Sequence, residues 1–336
     1  MPSWFRIRDS MDEGSQLSLF STAPLGKEAR RGPFAERLEK ELAECAAVAA
    51  RVPQNVRFGT SSWSFPGWAG IVYSRRASAS ELAKTGLTEY ARHPLLGTVG
   101  IDRGFYAPIP VEDLRRYAAQ LPPGFACCTK APEAVTGAAN PEYLSVRRFE
   151  EDMLAPFWDS FAGHAGPFLL QFPPAPPAAR SSPREFAESL DRFLGQLPRR
   201  FRYAVELRDP SLLTGEYARV LASRGAAHVY NAATAMPMPA EQAETVPVAG
   251  ADFVVVRLLL RPGTRYDDRR EDFLPFDRIV DPNPEMRRQT IELARAAQGR
   301  DVFVLVNNKA EGCAPATIRA LAEELARETE ARPIST

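Results

Sequence analysis

Eight short apolar runs, each followed by a stretch of helical or broken-helical pattern, constrain the fold of this 336-residue chain more than any other feature. The runs are Val56–Thr60, Gly97–Ile101, Phe125–Lys130, Phe168–Phe172, Tyr203–Leu207, Ala227–Tyr230, Phe253–Leu258 and Val302–Val306. Several are apolar almost without a break, as parallel strands buried on both faces are. Helical patterns occupy Ser80–His93, Val111–Gln120, Pro141–Phe161, Arg184–Leu197, Gly215–Arg224, Glu285–Gln298 and Pro315–Glu328. Ala232–Ala249, rich in Pro and Met, offers only a poor helix. Strict strand–helix alternation predicts an α/β fold, a TIM-barrel-like (β/α)8 barrel. The alternative is an open doubly wound sheet. No G-x-G-x-x-G or P-loop follows the first strand, which weakens its dinucleotide- or NTP-binding version.

Length alone allows two domains, but barrels of about 250 residues fold as one. The chain divides into a tail over residues 1–32, a helix within 33–55 and a barrel over 56–330. The tail mixes Ser, Gly, Arg and acidic residues with little periodicity and reads as mobile and disordered. In Phe34–Arg51, Leu38, Leu42, Cys45 and Val48 form a helical stripe ended before Pro53, suited to packing on the barrel. Prolines number 30, close to twice the usual share, and fall mostly in connections such as Pro122-Pro123 and Pro173-Pro174.

Forty-two basic residues balance forty-two acidic ones, which argues against a surface built wholly for nucleic acid or anionic membrane. The start shows no secretory signal and no run approaches the roughly 20 apolar residues of a membrane span, so a cytoplasmic protein is expected. The cysteines Cys45, Cys127, Cys128 and Cys313 form no CxxC or Cys/His pattern, so no zinc or redox site is indicated. Adjacent Cys127 and Cys128 in one strand point to opposite faces and are not expected to bond.

In such a barrel the site lies at the C-terminal mouth. The strand ends carry Thr60-Ser61-Ser62-Trp63, Asp102, Lys130, Gln171, Glu206 with Arg208, Asn231, Arg257, and Asn307-Asn308. Period-two alternation groups Ala204, Glu206 and Arg208 on one face and Ala126, Cys128 and Lys130 on another, and small residues beneath a charged tip suit a lumen. Glu206 and Lys130 are therefore the candidate acid/base pair. Arg208 and Arg257 can fork a carboxylate or phosphate, while Gln171, Asp102, Asn307, Asn308, Trp63 and Ser62 complete a binding set. The expected ligand is a small anionic or polyhydroxylated molecule, and the reaction a hydrolysis, lysis or isomerisation. The competing reading is a buried ion pair that fixes the barrel top, with Asn residues capping loops. No metal or cofactor is expected, because His93, His164 and His228 lie away from the mouth and the cations oppose Mg²⁺. A serine or cysteine nucleophile has no histidine in reach.

GTSSWSFPGWAGIVY (59–73), PPGFACCTKAPEAVT (122–136), GPFLLQFPP (166–174), RFRYAVELRDPS (200–211), ADFVVVRLLLR (251–261) and VFVLVNNKAEGCAP (302–315) occur in this order. Together they resemble the YecE-like family, domain-of-unknown-function family 72, over about residues 56–328. The resemblance implies a TIM-barrel-like fold and no established activity. The family's V-E-I-N is Val99-Gly100-Ile101-Asp102 here, its R-L-H-G is Arg257-Leu258-Leu259-Leu260, and its Thr-His is Thr136-Gly137. Lys130, Glu206, Arg257 and Asn307 keep the family pattern. The three missing polar groups point to altered or lost chemistry.

Gln16-Leu17-Ser18-Leu19-Phe20 resembles the short peptide by which bacterial replication and repair proteins dock on the DNA sliding clamp. Leu19 and Phe20 would enter an apolar pocket while Gln16 hydrogen-bonds nearby, with Leu17 between them. The second function class is thus a non-catalytic DNA-maintenance accessory protein. Paired arginines are spread widely, so no direct nucleic-acid surface is predicted.

Overall fold

The computed structural model of the protein describes residues 32–233, 235–264 and 270–331. Eight parallel strands close into a barrel in chain order: β1 (Val56–Thr60), β2 (Thr98–Ile101), β3 (Ala126–Lys130), β4 (Ala165–Phe172), β5 (Tyr203–Leu207), β6 (Ala227–Ala232), β7 (Phe253–Leu258) and β8 (Asp301–Val306). The seam is the β1–β8 ladder, in register from Val56 against Val302 to Thr60 against Val306.

Strand alternation sorts the side chains into two cores. Outward residues such as Phe58, Val99, Cys127, Phe168, Val205 and Val304 pack beneath the helices. Inward residues fill the lumen: Cys128, Leu169, Ala204, Ala227, Val229, Phe253, Val255, Phe303 and Leu305. Cys127 and Cys128 indeed face opposite ways, and all four cysteines are free and buried.

The principal helices are α1 (Pro33–Ala49), α2 (Ala79–Thr85), α3 (Leu87–Tyr90), α4 (Val111–Ala118), α5 (Ala155–Phe161), α6 (Pro183–Gln196), α7 (Gly215–Arg224), α8 (Pro239–Thr245), α9 (Pro284–Ala296) and α10 (Ala314–Ala331). α1 buries Leu38, Cys45 and Val48 and is tied to α10, where Arg319 reaches Glu41 at 2.9 Å and Glu44 at 2.8 Å. No helix among the described residues is long and apolar enough to cross a membrane. Gln16, Leu17, Leu19 and Phe20 lie outside the described residues.

Four local departures from the sequence pattern have physical causes. Ser80–His93 is not one helix but two, with Gly86 at the joint. The segment expected helical from Pro141 becomes so only at Val146: Leu144 adopts φ 54° and the Ser145 side chain caps by accepting the Arg148 amide. β4 begins at Ala165 rather than Phe168, through a bulge that pairs Cys127 with Ala165 and Thr129 with Phe168. Pro167 falls in this irregularity, where a missing amide is tolerated. The poor helix after β6 does form, over Pro239–Thr245, because Gln242 fastens it. Its Nε2 donates to the carbonyls of Asn231 and Pro237, both at 2.7 Å, and its Oε1 accepts the Asn231 amide at 3.1 Å.

The connection after β7 crosses to the loop after β1. Phe276 meets Phe65 edge-on at 5.9 Å, and a Cβ on Gly67 would lie 1.9 Å from the Pro275 carbonyl oxygen. Buried Glu311, in the turn after β8, holds this connection by accepting the Asn283 amide at 2.5 Å and the Arg287 guanidinium at 2.9 Å. The two loops thus meet above β8, which lies between β7 and β1.

Candidate active site at the barrel mouth

The mouth is built from the C-terminal ends of strands whose inward positions below are small or aliphatic. Cys128 lies beneath Lys130, Leu169 beneath Gln171, Ala204 beneath Glu206 and Val255 beneath Arg257. Register places Gln171 beside Glu206 and Asn231 beside Arg257. Ile101 pairs with Thr129, so Asp102 follows level with Lys130.

Glu206 is the centre of the charge cluster and is fully buried. Its Oε1 accepts Arg208 Nε at 2.7 Å and its Oε2 accepts Arg257 Nη1 at 2.5 Å. Burial works to raise this carboxyl, but the two guanidiniums outweigh it and hold the group down at about 2. A carboxylate with both oxygens engaged and so low a proton affinity cannot serve as a general base near neutrality. The acid/base role expected for Glu206 is therefore corrected: it is the anchor of the cluster. Arg257, 1% exposed, is likewise committed, with Nη2 at 3.3 Å from Asp102. Burial acts to deprotonate it, while Glu206 and Asp102 keep it charged. It is not available to fork a ligand. Asp102, expected in the binding set, is the second carboxylate of the cluster.

The remaining polar groups form an arc over four consecutive strands: partly exposed Asp102 after β2, buried Lys130 on β3, buried Gln171 on β4 and partly exposed Arg208 after β5. The side chains of Asp102 and Arg208 are 31% and 25% exposed. Gln171 Oε1 accepts from Arg208 Nη2 at 3.1 Å, and its amide nitrogen has no hydrogen-bond partner among the described residues. The Lys130 Nζ lies 3.6 Å from the centre of the Phe105 ring, a close cation–π contact. No hydrogen bond or ion pair engages it among the described residues. Burial lowers its ammonium to about 8, with Asp102 opposing and Arg257 assisting. Ser61 Oγ, Asn231 Oδ1 and Arg257 Nε, buried polar atoms of the upper lumen, also have no hydrogen-bond partner among the described residues.

The remaining expected residues stand apart. Trp63 is core: its indole N–H donates to the Leu82 carbonyl at 2.9 Å and its ring meets Tyr117 edge-on. Ser62 lies in the turn after β1, its carbonyl accepting the Thr60 hydroxyl at 2.7 Å. Asn307 and Asn308 are caps, accepting the amides of Lys309 at 3.0 Å and Ala314 at 2.8 Å. Gly100, at the position of the absent family Glu, explains that departure locally: a Cβ there would sit 2.7 Å from the Ser61 carbonyl oxygen.

His228 lies outside the barrel wall, between the Tyr217 hydroxyl at 2.8 Å and Gln242 at 3.0 Å, and burial lowers it to about 4. The chain also gathers Glu41, Cys45 and His93, a trio of metal-ligand types hidden from the sequence by the separation of His93 from α1. It makes a poor metal centre. The Leu95 amide donates to His93 Nδ1, so the neutral ring carries its proton on Nε2. Glu41 is held by Arg319 and accepts the Cys45 thiol at 3.4 Å, and burial together with Glu41 pushes that thiol to about 12.

Comparison with known proteins agrees with the architecture. The chain is 29% identical over 170 residues to the YecE protein of Escherichia coli K12, a match covering 49% of this chain and 53% of that protein. The chain thus spans about half the length of the curated relatives it matches. A crystal structure of a DUF72 family protein from Thermotoga maritima superposes with a TM-score of 0.57 at 20% identity, over 81% of this chain and 99% of that one. One from Enterococcus faecalis gives 0.52 at 18% identity, over 83% and 98%. These likenesses carry the barrel fold. Because a family model described as "Protein of unknown function DUF72" matches residues 57–336, the chain belongs to the DUF72 family.

Proposed function

We propose that the barrel mouth binds a small anionic or sugar-like ligand along the arc from Asp102 to Arg208, and that Lys130 transfers a proton there. The carrying observation is the surplus cation: among the described residues Lys130, Arg208 and Arg257 face the two carboxylates Glu206 and Asp102, and the member without an ion pair is the desolvated Lys130. A ligand carboxylate or phosphate would neutralise that charge and accept from the free edge of Arg208 and from Gln171. Proton transfer beside a carbonyl is the chemistry of a lyase or isomerase. Glycoside hydrolysis, which uses two working carboxyl groups, is disfavoured because Glu206 is locked.

A thermal-shift screen of sugar phosphates, dicarboxylates and nucleotides tests the proposal. A rise in melting temperature with at least one anion, abolished in Lys130→Met and Arg208→Ala, is expected. Failure of every anion sinks it.

The accessory-protein reading rests on Gln16–Phe20 together with the family Glu and His that are Gly100 and Leu259 here. A labelled peptide of residues 12–24 titrated with sliding clamp decides it, and no saturable signal at tens of micromolar, the range set by the ordering cost of a tail, ends it.

A further inference from the structure

We infer that Lys130 is a covalent anchor, its ε-amine condensing with the carbonyl carbon of a small anionic aldehyde or ketone to form an imine. The inference rests on the ligand-binding mouth proposed above and adds the chemical class of its ligand.

Three observations carry it. First, among the described residues Nζ is the one mouth cation that touches no carboxylate: Arg208 and Arg257 each touch Glu206, whereas Lys130 touches the Phe105 ring. No ion pair need break before the nitrogen acts. Second, the chain has only five lysines, Lys27, Lys40, Lys84, Lys130 and Lys309, among its 42 basic residues. Arg57, Arg202, Arg208 and Arg257 are other cations of the lumen. A guanidinium stays protonated and cannot be a nucleophile, whereas an ammonium in an apolar setting can lose its proton. Third, Asp102 lies level with Lys130 on the neighbouring strand, half-buried and held only at 3.3 Å by Arg257. It can pass protons to and from the reacting oxygen. With its ammonium brought to about 8, about a tenth of Lys130 is neutral at pH 7.

The step balances without an oxidant or reductant. The Nζ lone pair attacks the carbonyl carbon, and the carbonyl π pair moves to oxygen, which takes a proton. The nitrogen releases one proton to give a neutral carbinolamine, the hydroxyl leaves as water after a second protonation, and the nitrogen then releases its second proton to leave a neutral imine. Protonation of that imine gives an iminium, one positive charge in the place where Phe105 already faces one.

The test uses the full chain with glyoxylate and with pyruvate, each with cyanoborohydride, followed by peptide mass spectrometry. Lys130 is expected to be alkylated faster than exposed Lys40 by on the order of tenfold or more. The rate should rise with a midpoint near pH 8 and vanish in Lys130→Arg. Melting curves of Lys130→Arg and Lys130→Met report whether each variant folds. Labelling of Lys130 no faster than of Lys40 overturns the imine. If lactate, which has no aldehyde or ketone group, still raises the melting temperature in that case, the anion-binding mouth survives without it. Failure of both trapping and every anion shift removes both.

Discussion

At the N-terminal end of the lumen, Asp301 of β8 receives Arg57 at 2.6 Å and Arg202 at 2.7 Å. At the C-terminal end, Glu206 receives Arg208 and Arg257, with Asp102 and Lys130 beside them. Each group of named charges carries one positive charge in excess. They differ in burial. The lower guanidiniums reach water, stack on Phe303 and Phe253, and share the Asp301 carboxylate. Burial acts to raise Asp301, but Arg57 and Arg202 hold it below the usual carboxylate range. In the upper group the carboxylate is sealed, two guanidiniums are spent on it and on Asp102, and the excess charge falls on a lysine that burial has made easier to deprotonate. The same net charge therefore makes a screened clamp at one end and a poised amine at the other. That division agrees with the separation of stability and chemistry between the two faces of such barrels.

The sharpest attempt to break this contrast is Glu206→Gln. It leaves Arg257 buried with its main counter-charge gone and should cost about 3–5 kcal/mol in denaturant unfolding. In the parent protein this stabilisation is full above the ordinary carboxyl value of 4.5 and is lost as pH falls towards 2, because the folded value is the lower one. A parent whose stability is flat between pH 5 and pH 2 would contradict the assignment.

Lys130→Met should move stability the other way. Folding lowers this ammonium from 10.5 to about 8, so the charge penalises the folded state fully below pH 8 and progressively less up to pH 10.5. Its removal should gain about 1–3 kcal/mol at pH 7, with some offset from the lost contact to Phe105. The gain should shrink above pH 9, and any anion-induced rise in melting temperature should disappear. A destabilised Lys130→Met with intact anion response would place the working group elsewhere.

The smallest effect is expected at the opposite end. Asp301→Asn should cost less than about 1 kcal/mol and leave the anion response untouched, because its partners remain hydrated. A cost equal to that of Glu206→Gln would erase the distinction between the two ends.

Much of this was legible in the residues. Continuous apolar runs located all eight strands, and alternation placed Lys130, Glu206 and Arg208 on the lumen side. What alternation cannot convey is pairing. Whether Arg257 meets a ligand or Glu206 depends on strands 51 residues apart in sequence. Nor does it reveal that Trp63 turns its indole to Leu82, or that Gln242 makes a helix of a Pro- and Met-rich stretch. Pro167 misled for a local reason: Gly-Pro signals a turn, yet here it lies in a bulged strand.

The seam between β1 and β8 has a consequence for the order in which the molecule can come into being. β1 presents an open edge until residues 301–306 have left the ribosome. The arc from Asp102 to Arg208 arises instead from consecutive strands within residues 98–208, whose contacts are short in sequence and so quick to form. During synthesis the ligand-facing half of the mouth can therefore assemble first, with Arg208 already against Glu206. Arg257 joins later, so the nascent chain spends an interval with its carboxylate held from one side only.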